Sequence, residues 1–181
     1  MTAAFDRDLY MRAWHYAASK HNGQLVPGSA LPYVVHLGAV AMEVIGTLAI
    51  EEFDAPNLAV GCALLHDTLE DTSVSADEIA SEFGQSIAEG VLALTKFKSE
   101  KGNAMADSLR RIKLQPREVW LVKLADRTVN MEPPPSHWTL EKRRKYQRQA
   151  IEIVEELGAA SPSLAARLRD KIVRYPVPSG D

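Results

Sequence analysis

The chain has 181 residues, 46% of them hydrophobic and 25% charged, proportions that exclude a disordered chain and a fibrous repeat. Its 21 Lys plus Arg stand against 24 Asp plus Glu, a net charge of -3, so no general basic surface is offered to a nucleic-acid backbone. The single cysteine, Cys62, excludes a disulfide framework and a thiolate zinc site and fits a reducing compartment, with the cytoplasm as the default.

One compact domain is expected, with its core from about residue 5 to about residue 175, because domains commonly run to about 100–150 residues. The opening MTAAFDRDLYMRAW carries acidic and aromatic residues where an export signal needs a basic start and an unbroken apolar stretch. Leu37 to Ile50 is the most apolar segment, but Glu43 interrupts it and it is shorter than the roughly 18 residues of a membrane span. A buried helix, and no membrane partner, is expected.

Helical periodicity runs nearly end to end without the apolar-polar alternation of a half-buried strand, so the expected fold is an all-α bundle. A first helix spans about Phe5 to Lys20 and ends at HNGQ. After a loop with Pro27 and Gly28, Pro32 opens a second helix to about Ile50, the natural centre of the bundle. A third runs from Pro56 to about Glu70. Ser75 with Glu78 forms a capping-box pattern for a short helix to Phe83, and Gly84 separates it from another that reaches about Phe97. Lys98 to Asn103 reads as a polar loop. Pro116 begins the next helix, and the three prolines of EPPPSHW end it in a rigid loop. Thr139 to Leu157 and Ser161 to Arg174 close the domain, with Gly158 as the stop between them.

The densest polar cluster in an apolar setting is ALLHDTLEDT, Ala63 to Thr72. His66 and Glu70 are four apart, as are Asp67 and Asp71, so all four project over one limited arc of a helix or its last turn. Burying that much acid requires a counter-charge, which a divalent cation supplies compactly. The plainer reading is a helix end capped and facing water. PYVVH adds His36 from an apolar helix, and VKLADRTVN adds Asp126, with Asn130 one turn on. Singly, a core histidine and an Arg-paired aspartate would explain these residues. Together they supply two imidazoles and two carboxylates from three helices, a set that suits a first-row divalent ion with coordination positions open to water and substrate.

His36, the His66-Asp67 pair and Asp126 resemble the H…HD…D signature of the HD-domain metal-dependent phosphohydrolases. The wording HNGQ, PYVVHLGAVA, CALLHDTLEDT, EFG, LTK and KLADRTVNM is similar, over about Ala13 to Leu157, to the hydrolase domain of RelA/SpoT homologues and the stand-alone small alarmone hydrolases. The resemblance implies a small-molecule nucleotide substrate: the 3′-diphosphate of guanosine tetra- or pentaphosphate is hydrolysed to pyrophosphate and a 5′-di- or triphosphate, with one Mn²⁺ as cofactor. It implies His36, His66, Asp67 and Asp126 as metal ligands, with Glu70 and Asp71 as the pair that orients and deprotonates the attacking water. It also implies Asn130 and Tyr146 as substrate contacts; Lys142 lies one turn before Tyr146 on the same face, and Lys96 and Lys98 border the loop above the site, which makes these lysines further candidates for contact with the substrate. For the run Lys142 to Lys145 a solvated helix face is the plainer alternative.

This chain departs from the family pattern where the base is read. Leu25 and Val26 replace a basic pair after HNGQ, Val129 replaces a histidine, and Glu132 replaces a basic residue. His137 or Trp138 of the proline loop is the remaining candidate for stacking on a purine. An adenosine alarmone with the same 3′-diphosphate is therefore a second expected substrate. Two alternatives stand beside this reading: a phosphohydrolase of another nucleotide, and a nucleotide-binding sensor without catalysis. The length leaves no room for a synthetase region, so hydrolysis alone is expected. The sequence is equally compatible with a monomer and a homo-oligomer.

Overall fold

A computed structural model describes residues 5–97 and 104–177, and its described residues form an all-α bundle with no strand beyond one isolated bridge between Leu25 and Pro32. Lys98 to Asn103, read above as a loop, lies outside the described residues. α1 (Arg7–Lys20) begins where the Asp6 carboxylate accepts the Asp8 N–H, and it buries Leu9, Ala13 and Ala17 at helical spacing. α2 (Val34–Leu48) and α3 (Pro56–Leu65) follow; α3 is buried at nearly every position, which is why its sequence, PNLAVGCALL, shows no polar face. With α8 (Arg117–Asn130), these two helices form a mutually packed centre.

The expected single helix from Pro56 to Glu70 is two elements. α3 stops at Leu65, and a short α4 (Thr68–Asp71) follows. Side chains take the carbonyls released at the break: the Thr68 hydroxyl donates to the Leu65 carbonyl at 2.6 Å, and His66 Nδ1 meets the Ala63 carbonyl at 2.9 Å. The break turns His66 and Asp67 to the same side of the bundle.

α5 (Ala76–Phe83) starts as expected, with the Ser75 hydroxyl accepting the Glu78 N–H. The Glu78 side chain does not close the capping box; it pairs with Lys20 and Tyr16 and so ties α5 to α1. α6 (Gln85–Leu94) ends three residues earlier than expected. Its last carbonyls are gathered by Arg111, which donates to Leu92, Ala93 and Thr95. Arg111 belongs to α7 (Ala104–Lys113), a helix the sequence reading passes over, held by buried Met105, Leu109 and Ile112.

α6 crosses α3 closely because Gly90 leaves room for Cys62; a Cβ there would stand 2.5 Å from the Cys62 sulfur and 3.1 Å from Val119. The buried Glu118 of α8 accepts the Ala55 N–H at 3.0 Å, satisfying the start of α3 from another helix. α9 (Leu140–Leu157) is capped by Thr139, and α10 (Pro162–Arg174) by Ser161. Gly158 separates them by a different device from the one expected. Its φ is -61°, and it enters a 3-10 turn, Gly158–Ala160, rather than a left-handed stop. A Cβ there would lie 3.3 Å from that of Ala165, so the glycine serves close packing. The proline loop after α8 carries no helix, as expected, and leans its Pro135 ring on Gly28.

Candidate metal centre

α2, the α3–α4 break and α8 deliver four side chains to one point. His36 Nε2 lies 3.3 Å from His66 Nε2, 3.6 Å from Asp67 Oδ2 and 3.6 Å from Asp126 Oδ1. His66 Nε2 lies 3.0 Å from Asp67 Oδ2 and 3.9 Å from Asp126 Oδ1. The donor atoms of His36, His66 and Asp67 fall within 4.8 Å of one another, a spacing at which three residues can hold one cation. Asp126 approaches both imidazoles from the opposite helix. Both histidines and Asp126 are buried.

Local chemistry aims each donor. The Ala63 carbonyl fixes a hydrogen on His66 Nδ1 and leaves Nε2 turned inward. The Tyr33 hydroxyl donates to Asp67 Oδ2 at 2.5 Å. Burial together with the Asp67 charge pushes that phenol above its ordinary range, so Tyr33 stays a donor. Asp126 divides its two oxygens: Oδ2 takes the Lys123 ammonium at 2.9 Å, while Oδ1 faces the histidines and accepts from the Asn130 amide at 2.5 Å.

The electrostatics of this group favour added positive charge. Burial opposes ionisation of Asp67, yet the neighbouring His66 holds its carboxyl well below the usual range. Asp126 behaves alike, with Lys123 and then His66 outweighing burial. Burial disfavours the charged His66 ring, but Asp67 and Asp126 overcome it and push its pKa up to about 9. A divalent cation fits here by charge and by ligand type, replacing the proton that the histidine otherwise takes.

The next turn carries Glu70 and Asp71, both exposed. Glu70 Oε2 accepts the Lys96 backbone N–H at 2.9 Å, and Asp71 Oδ2 accepts the Gln24 amide at 2.8 Å. Tyr146 and Lys142 lie in a stack of rings and cations that begins at Arg127, the neighbour of Asp126. Arg127 lies 4.1 Å from the Tyr146 ring centroid, Trp138 meets that ring edge-on, and the Lys142 ammonium covers Trp138 at 4.1 Å. Burial pushes the Tyr146 phenol up to about 12. Lys98 lies outside the described residues.

Residues to which the sequence reading gave no role complete the site. A lysine inside VWLVKLAD needs a buried partner, and that mismatch is the available signal for Lys123. His21, Gln24 and Tyr33 sit in segments where polar residues at a helix end read as ordinary turn chemistry.

The family model for the HD domain matches residues 13–163 of this chain. The chain belongs to the HD-domain family. Among curated relatives, this HD domain is 37% identical over 154 residues to the bifunctional (p)ppGpp synthase/hydrolase SpoT of Escherichia coli strain K12, covering 81% of this chain and 21% of that protein. It is 33% identical over 153 residues to the guanosine-3′,5′-bis(diphosphate) 3′-pyrophosphohydrolase of Aquifex aeolicus, covering 81% of this chain and 20% of that protein. The HD domain thus spans about one fifth of the length of the curated relatives it matches. A solved structure of a metazoan ortholog of SpoT, described as hydrolyzing ppGpp, superposes with a TM-score of 0.82 at 26% identity, covering 97% of this chain and 100% of that one. No helix among the described residues is long and apolar enough to cross a membrane.

Proposed function

We propose that this HD domain is a Mn²⁺-dependent 3′-pyrophosphohydrolase of alarmone nucleotides, acting on guanosine tetra- and pentaphosphate and on their adenosine counterparts in the cytoplasm. The observation that carries the reading is the approach of the His36 and His66 Nε2 atoms to each other and to one oxygen each of Asp67 and Asp126, at 3.0–3.9 Å, from three separate helical segments. Its relatives named as pyrophosphohydrolases, and a solved likeness that matches it end to end, support the substrate class.

His36, His66, Asp67 and Asp126 would hold the ion. When bound, it supplies Lewis acidity toward water and a phosphoryl oxygen. Glu70 and Asp71, one turn beyond Asp67, orient the attacking water and take its proton. Water attacks the phosphorus joined to O3′, the P–O3′ bond breaks, and O3′ departs with a proton. Pyrophosphate and the nucleoside 5′-di- or triphosphate are the products. Glu70 is suited to its part because the Lys96 N–H fixes one of its oxygens. Asn130 reaches the ribose or reacting phosphate from beside Asp126, while Lys96, Lys142 and Tyr146 contact the phosphates and sugar. The exposed Leu25, in place of a basic residue, relaxes the demand for guanine.

The test incubates purified protein with Mn²⁺ and guanosine or adenosine tetraphosphate and identifies the products. Pyrophosphate release from either is expected. Orthophosphate release from nucleoside monophosphates alone, or binding without turnover, would contradict the reading.

A further inference from the structure

The HNGQ turn that ends α1 reaches the acidic end of α4 by two routes. Gly23, with φ at 82°, takes the left-handed conformation that reverses the chain there, so that His21 and Gln24 point the same way. The Gln24 amide nitrogen donates to Asp71 Oδ2 at 2.8 Å. A carboxylate only accepts, so the amide orientation is set, and the Gln24 carbonyl oxygen must face His21 Nδ1, 2.6 Å away. His21 therefore carries its hydrogen on Nδ1.

The His21 ring is itself buried and stacks on Tyr33, with ring centroids 5.0 Å apart. The Tyr33 backbone N–H donates to the Gln24 backbone carbonyl at 2.9 Å, and the Tyr33 hydroxyl donates to Asp67. One turn thus grips both carboxylates that bracket α4. His21 is locked by burial and stacking, Gln24 is locked by His21, and Asp71 has its Oδ2 fixed by Gln24. A long side chain such as Gln loses about 1.5–2 kcal/mol of rotamer freedom when fixed, so this half-buried glutamine, bonded at both ends of its amide, is held in place at that cost.

We propose that His21 and Gln24 are positioning residues for Asp71: they turn this carboxylate so that its second oxygen meets the attacking water. The proposal rests on the role given to Asp71 above and adds the reason for its orientation. Gln24 acts through Asp71 and makes no bond to the reacting atoms.

The test compares wild type, Gln24→Met, Gln24→Glu, Asp71→Asn and the double variant Gln24→Met/Asp71→Asn, each as the full chain with Mn²⁺ and guanosine tetraphosphate. Gln24→Met keeps length and loses both hydrogen bonds. Gln24→Glu keeps the acceptor for His21 and sets a carboxylate against Asp71. Both are expected to lower kcat about 10- to 100-fold, the usual loss when a supporting partner of a site residue is removed, with KM within about twofold and Mn²⁺ content unchanged. The double variant is expected to be no slower than Asp71→Asn. In ¹H–¹⁵N spectra, the hydrogen-bonded Nδ1–H signal of His21 is expected in wild type and lost in Gln24→Met.

Losses that multiply in the double variant would overturn the proposal, as would a wild-type kcat in both Gln24 variants. Asp71→Asn at the wild-type rate would remove Asp71 from the mechanism and the proposal with it. A slow Asp71→Asn beside a fast Gln24→Met would remove only the positioning role.

Discussion

Asp126→Ala is expected to abolish metal occupancy and to lower turnover by about a thousandfold or more, since in the proposed function the ion would contribute several kcal/mol to the transition state and about 1.4 kcal/mol is tenfold. Asp126 is the one donor from α8, so its loss leaves the ligands of α2 and the α3–α4 break facing an open side. A second consequence follows from Lys123. Its ammonium is buried; burial lowers its pKa, Asp126 opposes that, and Lys96 and Arg127 add repulsion. Removing Asp126 strands this cation, and breaking such a buried pair costs about 3–5 kcal/mol. Asp126→Asn separates the two effects. It keeps one oxygen for Lys123 but not the charge that offsets the buried ammonium, so it is expected to lose metal with a smaller fall in melting temperature than Asp126→Ala. Metal analysis, thermal unfolding and initial rates on both variants check this; wild-type turnover without bound metal would contradict the ligand role.

Glu70→Gln is expected to do the reverse, keeping the metal and losing about 10²- to 10⁴-fold in rate. The amide preserves shape and can still accept the Lys96 N–H, so fold and site geometry persist. It cannot take a proton from water at neutral pH. The loss should appear in kcat rather than KM, because water orientation and deprotonation are used after the substrate is bound. An undiminished kcat at full metal occupancy would take Glu70 out of the reaction.

Much of this centre is legible in the sequence because it offends the pattern around it. His36 and Asp126 interrupt helical apolar runs, and HDTLED places acids at the end of the most buried helix. The all-α fold is legible for the same reason that the break at His66–Asp67 is not: backbone angles at both residues stay near helical, so periodicity carries on while the hydrogen-bond ladder stops. The break depends on Thr68 and His66 taking carbonyls with their side chains, which spacing does not encode. α7 is open to the same reading, since AMADSLRRIK sets Met105, Ser108, Leu109 and Ile112 at helical spacing; what spacing does not encode is that it brings Arg111 to the end of α6. The residues proposed to orient Asp71 are hidden by distance. Gln24 and Asp71 lie 47 positions apart, and only the folded chain shows that a turn of ordinary appearance ends on an acid of the site.

Anomalous diffraction at the manganese edge, from crystals grown with Mn²⁺, would locate the ion. One strong peak bonded to His36 Nε2, His66 Nε2, an Asp67 oxygen and Asp126 Oδ1 is expected. A peak elsewhere, or none between these four side chains at saturating Mn²⁺, would contradict that ligand set.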